Sequence, residues 1–185
     1  MRWFALALLA LSGLAFAPSA SSLPDGDGNF HLGASRAQVD SLISLRGLRV
    51  ISDQSGFLAT TSDDPRVDFE QYVFFSSPAG PSLLWRVTIV YRPDATREEF
   101  DAVESELEHA LGDPAIEPPL AGTPEGRAAE RRVSWGDASV KVQLGARWSP
   151  EGDIESNRMR VTWIDSRLQR LIDARRKQER IGHSR

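Results

Sequence analysis

The chain has 185 residues, 41% hydrophobic and 26% charged, with a net charge of −4 and no cysteine. This composition is globular and excludes collagen-like or wholly disordered chains. The missing thiol excludes disulfides, thiolate metal sites, cysteine nucleophiles and an N-terminal lipidated cysteine. The acidic balance argues against general nucleic-acid affinity, and the length suits one domain or two small repeats that share a core.

Residues 1–20 read MRWFALALLALSGLAFAPSA. Arg2 supplies a positive start, Trp3 to Ala17 are apolar, and the small residues Ala17, Ser19 and Ala20 follow. This is the order of a secretory signal peptide. The apolar run is shorter than the roughly 18–20 residues that span a bilayer. Pro18 disfavours a cut directly after Ala17, so cleavage is expected between Ser19 and Ser22. No transmembrane span is expected in the mature chain. The basic residues are almost all Arg, with Lys only at 141 and 177. With abundant Ala, Gly and Pro, this bias fits a GC-rich bacterial gene, which makes the periplasm the expected destination and full secretion the alternative.

Residues 21–32 read as a flexible Gly/Asp/Ser lead-in. Ser35 and Gln38 form a capping box, and Val39, Leu42, Ile43 and Arg46 follow at helical spacing until Gly47. Leu48 to Ser52 and Gly56 to Thr61 suggest two short strands. Val67 to Phe75 and Trp85 to Tyr91 alternate with a period of two and predict two longer ones. Thr96 and Glu99 form a second capping box, with Phe100, Val103, Leu107 and Leu111 as the apolar stripe. Ile116 to Arg127 is a Pro/Gly loop. Arg131 to Trp135 and Ser139 to Gly145 read as a hairpin across Gly136-Asp137. A loop covers Trp148 to Asn157. Arg158 to Ile164 is a strand, and a last helix runs from about Asp165 to Gln178.

The two capped helices match each other. Ser35-Arg36-Ala37-Gln38-Val39-Asp40 aligns with Thr96-Arg97-Glu98-Glu99-Phe100-Asp101. Downstream, Arg86-Val87-Thr88 recurs as Arg160-Val161-Thr162 in the same order. Capping grammar explains part of this match, but it does not require the repeated Arg, Asp or R-V-T. A tandem duplication is therefore expected: a signal peptide at 1–20, a lead-in at 21–32, and one α+β domain at 33–178 made of repeats 33–93 and 94–178. A basic tail follows at 179–185. The fold expected is an antiparallel sheet with helices packed on one face.

The stretch Leu32-Gly33-Ala34-Ser35-Arg36-Ala37-Gln38-Val39, with Leu111-Gly112-Asp113-Pro114 in the second unit, resembles the G-x-[ST]-x-x-x-V … L-G-x-P signature of small bacterial envelope proteins. These are the BamE-like outer-membrane assembly lipoproteins and the related repeats of β-lactamase inhibitory protein. The resemblance implies helices layered on an antiparallel sheet and a role in binding other proteins.

The residues offer little for catalysis. No nucleophile elbow, zinc-protease motif, phosphate loop or dinucleotide fingerprint occurs. His109, with Glu106 and Asp113 within a turn, is the best metal candidate and reads more simply as a solvated helix face. Asp25-Gly26-Asp27-Gly28-Asn29 begins like a calcium loop, but Phe30 and Arg36 stand where that loop needs Gly and Glu. No cofactor and no metal are implied. Charge is more informative. From Asp165 onward the chain carries a net +4, and the remainder −8. If Trp85, Val87, Trp135, Val140, Val142, Met159, Val161 and Trp163 face the helices, the opposite sheet face carries Arg86, Arg132, Lys141, Arg158 and Arg160. These five are the candidate binding residues, for an envelope protein or an anionic polymer. Non-catalytic binding of a macromolecule is the reading adopted. A small carboxylate-dependent hydrolase and a binder of small anionic ligands on the basic face are the alternatives.

Overall fold

A computed structural model describes residues 23–76, 80–116, 129–148 and 159–182. The signal segment and its cleavage region, the loop residues 117–128 and 149–158, Arg158 and His183 lie outside the described residues.

Ser35 and Thr96 start two helices in the same way. Each side-chain oxygen accepts a hydrogen bond from the backbone N–H three residues on, and Gln38 or Glu99 reaches back to the cap's own N–H. Each box satisfies N–H groups that a helix start leaves without partners, and a cap of this kind stabilises by about 0.5–2 kcal/mol. The helices run over Arg36–Arg46 (α1) and Arg97–Leu111 (α2). Gly47, at φ 67°, ends α1 in the left-handed conformation that glycine adopts without a Cβ penalty. Both helices bury the stripe that periodicity predicts: Val39 and Ile43 on α1, Phe100 and Val103 on α2.

Eight strands follow from the alternating segments and form one antiparallel sheet. They are β1 (Val50–Gln54), β2 (Phe57–Thr60), β3 (Val67–Ser76), β4 (Ser82–Tyr91), β5 (Ala115–Ile116), β6 (Ala129–Gly136), β7 (Val140–Trp148) and β8 (Arg160–Asp165). A third helix, α3 (Ser166–Gly182), closes the chain and continues past Gln178 through most of the segment expected as a tail. Its start is capped by Asp165, whose carboxylate accepts the backbone N–H groups of Arg167 and Leu168 at 2.8 and 3.1 Å. Ala115 and Ile116, at the edge of an expected loop, pair with Ser134 and Val133 instead.

The sheet order is β1-β2-β3-β4-β8-β7-β6-β5. On both sides chain order runs inward from the sheet edge to the central β4–β8 pair. At that seam Thr88 lies opposite Thr162, flanked by Arg86 opposite Ile164 and Val90 opposite Arg160. Residues directly opposite each other share a face. Val87, Ile89, Val161 and Trp163 therefore point one way, and Arg86, Thr88, Arg160 and Thr162 the other.

The first face carries the main core. Val87, Tyr72, Phe74, Val133, Trp135, Val142, Leu144, Val161 and Trp163 pack there with the buried side chains of α1 and α2. The α+β class is as expected, and α1 and α2 form the layer on one face. The lead-in carries no helix or strand, but Phe30 and Leu32 are buried in this core. The Phe30 ring meets Trp163 edge-on at 5.8 Å. Gly26 permits the fold-back, because a Cβ there would lie 1.7 Å from the Phe30 carbonyl oxygen.

One assignment is corrected. Trp85 does not join Trp135 and Trp163. In the β3–β4 pairing, Leu84 lies opposite Phe74 and Arg86 opposite Val73, so Trp85 is an inserted residue in a β-bulge. The bulge puts Trp85 on the outer face beside Arg86. There it packs with Ile164 and with Leu168 and Ile172 of α3, in a second cluster that includes Val73 and Phe75. α3 thus lies against the face opposite α1 and α2.

The two tryptophan environments predict different losses. Trp135→Ala removes core volume and the hydrogen bond that its indole N–H donates to the Gly112 carbonyl at 2.9 Å. It should lower unfolding free energy by about 3–5 kcal/mol in urea titrations. Trp85→Ala should instead release α3, so that limited proteolysis cuts within residues 166–182 while the core stays protected. An unchanged urea midpoint for Trp135→Ala would contradict the assignment.

Candidate functional site

The outer face is built by strand alternation and left partly open by α3. A concavity of about 620 Å³ on it is lined by Arg86 and Thr88 of β4, Arg132 of β6, Gln143 and Arg147 of β7, and Arg160, Thr162 and Ile164 of β8, with Gln71 of β3 at one side. Among the described residues that line it there is no carboxylate, and Arg132 and Arg147 each have a further interaction of their own. Three of the five candidate binding residues, Arg86, Arg132 and Arg160, therefore come together in one cavity. Lys141 shares the same face, opposite Ile164 and Gly136, but lies outside the cavity wall. Arg158 lies outside the described residues.

Arg86 is the most constrained of these cations. It is half-buried, and its guanidinium stacks over the Trp85 ring at 4.9 Å. The bulge makes this stack possible by placing the two neighbours on one face. The Arg86 Nε is fully buried and has no hydrogen-bond partner among the described residues. Burial first, then the nearby charges of Arg176 and Arg160, push this guanidinium below its ordinary pKa. A desolvated donor without an acceptor costs about 1–3 kcal/mol, and folding alone gives no reason to collect cations around it.

Two residues of this face were not singled out from sequence. Arg147 is in phase with Lys141 and Gln143, but Gly145 was read as the end of the strand; the ladder continues to Trp148. Gln71 was on an alternating strand whose buried side the sequence left open. The pairing of Gln71 with Thr88 settles it.

The inner face treats charge differently. Arg46 of α1 donates to both Glu70 oxygens at 2.9 and 3.0 Å and also bonds Asp63. Glu70, 4% exposed, further accepts hydrogen bonds from the Ser62 and Tyr72 hydroxyls. Arg66 pairs with Asp64 and with Glu106 of α2, each at 2.9 Å. These groups edge a smaller cavity of about 200 Å³ whose apolar wall includes Val103, Leu107, Val161 and Trp163. It is the place where carboxylates converge on apolar surface, as the hydrolase alternative requires. Hydrogen bonds from Arg46 and Arg66 hold the Asp63 and Asp64 carboxyls below the usual carboxylate range. A general acid needs the opposite shift, which Asp27 in the same cavity does show, because burial pushes its carboxyl up. His109 lies exposed near the end of α2, and its neighbour Glu106 is taken by Arg66. Asp25, in the segment that begins like a calcium loop, contacts His31 at 3.1 Å.

No protein-family model matches the chain, and no curated protein matches it in sequence. The functional reading therefore stands on the residues and their geometry.

The cationic cluster predicts a stability effect. Arg160 is exposed and repels Arg86 across the sheet. Arg160→Gln should leave the thermal midpoint unchanged or slightly raised at low ionic strength. A marked fall in the midpoint would give this residue a structural role instead.

Proposed function

We propose that the chain is an exported bacterial protein that acts by non-catalytic binding, and that its arginine-rich sheet face takes an anionic macromolecule. The observation that carries this reading is the 620 Å³ concavity into which four arginines and, among the described residues, no carboxylate are gathered, in a chain whose net charge is −4. Arginine presents a planar fork suited to two-point contact with carboxylate or phosphate, and it sheds water more readily than lysine. An envelope protein with an acidic surface or an anionic polymer fits this chemistry. Export is supported by the leader-like N-terminal sequence. Among the described residues no helix is long and apolar enough to cross a membrane.

The tandem duplication belongs to the same proposal. Its support is the strand order, which runs inward to β4–β8 from both edges, and the register that sets Thr88 of one R-V-T against Thr162 of the other. A duplication of this kind doubles the number of strands that present alternate residues to one face. The resemblance to BamE-like proteins and to the repeats of β-lactamase inhibitory protein points the same way, towards a protein-binding sheet.

The size of the concavity favours a second reading, a small anionic ligand, because pockets for such ligands span roughly 300–1,000 Å³. A defined polymer tests the first reading. Labelled poly-L-glutamate should bind the mature protein in fluorescence anisotropy, and more weakly as salt is raised. Arg86→Gln combined with Arg160→Gln should weaken it by at least about tenfold, or 1.4 kcal/mol. Circular dichroism should show the variant folded. Undiminished binding by a folded double variant would overturn the assignment of this face.

A further inference from the structure

The repeated R-V-T motif has a geometric consequence at the seam. Arg86 and Arg160 stand on the same face on either side of the Thr88–Thr162 pair, one on each central strand. They are four strand positions apart, about 13 Å along the strands. Both arginines and both threonines line the same concavity.

α3 brings a third cation to this place. Leu168 and Ile172 seat the helix on Trp85 and Ile164. Arg176 lies four residues beyond Ile172, so it continues the stripe that faces the sheet. Its charge acts on Arg86, as does that of Arg160. Among the described residues Arg86 takes the Trp85 ring as its partner, and its buried Nε has no acceptor. Two guanidinium groups thus flank two hydroxyl-bearing side chains in one concavity, and a third, on α3, lies within electrostatic reach of Arg86.

We infer that Arg86, Arg160 and Arg176, with Thr88 and Thr162 between the strand pair, form a site for one tetrahedral oxyanion, a phosphate or sulfate group. The inference rests on the proposed role of the basic face and narrows it to a ligand class. A planar carboxylate offers two oxygens in one plane and is matched by a single guanidinium fork. Donors carried by two strands and a helix match a group whose oxygens point to the corners of a tetrahedron. A bound dianion offsets the mutual repulsion of the three cations. It also gives the charged end of α3, where no described side chain beyond Ile172 joins the apolar cluster, a reason to lie down on the sheet.

The test uses inorganic phosphate, sulfate and glycerol 3-phosphate, with acetate at matched ionic strength as the planar control. Titration calorimetry on the mature protein should show one site for a tetrahedral anion and none for acetate. Hydrogen exchange in residues 173–182 should slow when the site is filled. Arg176→Gln, a change at an exposed helix position, should weaken the tetrahedral anion at least tenfold while leaving poly-L-glutamate binding within twofold. A response to the ester alone would assign the site to a phosphate monoester, and a response to inorganic phosphate would assign it to the free ion. Binding of none of the three would overturn the inference. So would unchanged anion affinity in Arg176→Gln. Loss of poly-L-glutamate binding with phosphate binding intact would instead remove the macromolecular reading and leave the oxyanion site.

Discussion

The pairing of β4 with β8 is the constraint on which the rest depends. It joins two four-strand halves that are otherwise separate in the chain, and the other strands are laid outward from it. Because opposite residues share a face, one register decides the fate of both sides of the sheet. With Thr88 opposite Thr162, Val87, Ile89, Val161 and Trp163 face the helices, and Arg86 and Arg160 face away. A slip of β8 by one residue would bury Arg160 and expose Trp163. The hydrophobic core and the cationic face are thus two results of the same register.

Much of this was legible in the sequence. The capping boxes at Ser35 and Thr96, the alternation of β3, β4 and β8, and the outward phase of Arg86, Arg132, Lys141 and Arg160 all follow from local rules, and all appear in the structure. Three features did not follow, each for a physical reason. Alternation counts residues and cannot see an inserted one, so the bulge at Trp85 was missed and that side chain was placed on the wrong face. The lead-in lacks periodicity, yet two apolar side chains, Phe30 and Leu32, suffice to dock it. Among the described side chains of α3, Leu168 and Ile172 form the apolar face, with Leu171 58% exposed. So short a stripe does not say which side of a sheet it will cover.

The distribution of charge separates the two faces functionally. On the helical side, arginines are consumed by carboxylates: Arg46 by Glu70 and Asp63, Arg66 by Asp64 and Glu106, and Arg131 by Asp101 and Glu104. These pairs tie helices and loops to the sheet. On the outer side, Arg86 is stacked on Trp85, partly desolvated, and surrounded by like charge. Folding alone does not call for collecting like charge around such a residue. The bulge serves that arrangement as well, because it sets the aromatic platform directly beside the cation it carries.

The central claim is that the seam's outward arginines hold an anion. Crystals of the mature protein grown with selenate, a tetrahedral dianion visible by the anomalous scattering of selenium, test it most directly. The account predicts an anomalous peak over the Thr88–Thr162 pair, within hydrogen-bond distance of Arg86 and Arg160 and facing Arg176 of α3. Selenate bound elsewhere on the surface, with this cradle empty at saturating concentration, would contradict it.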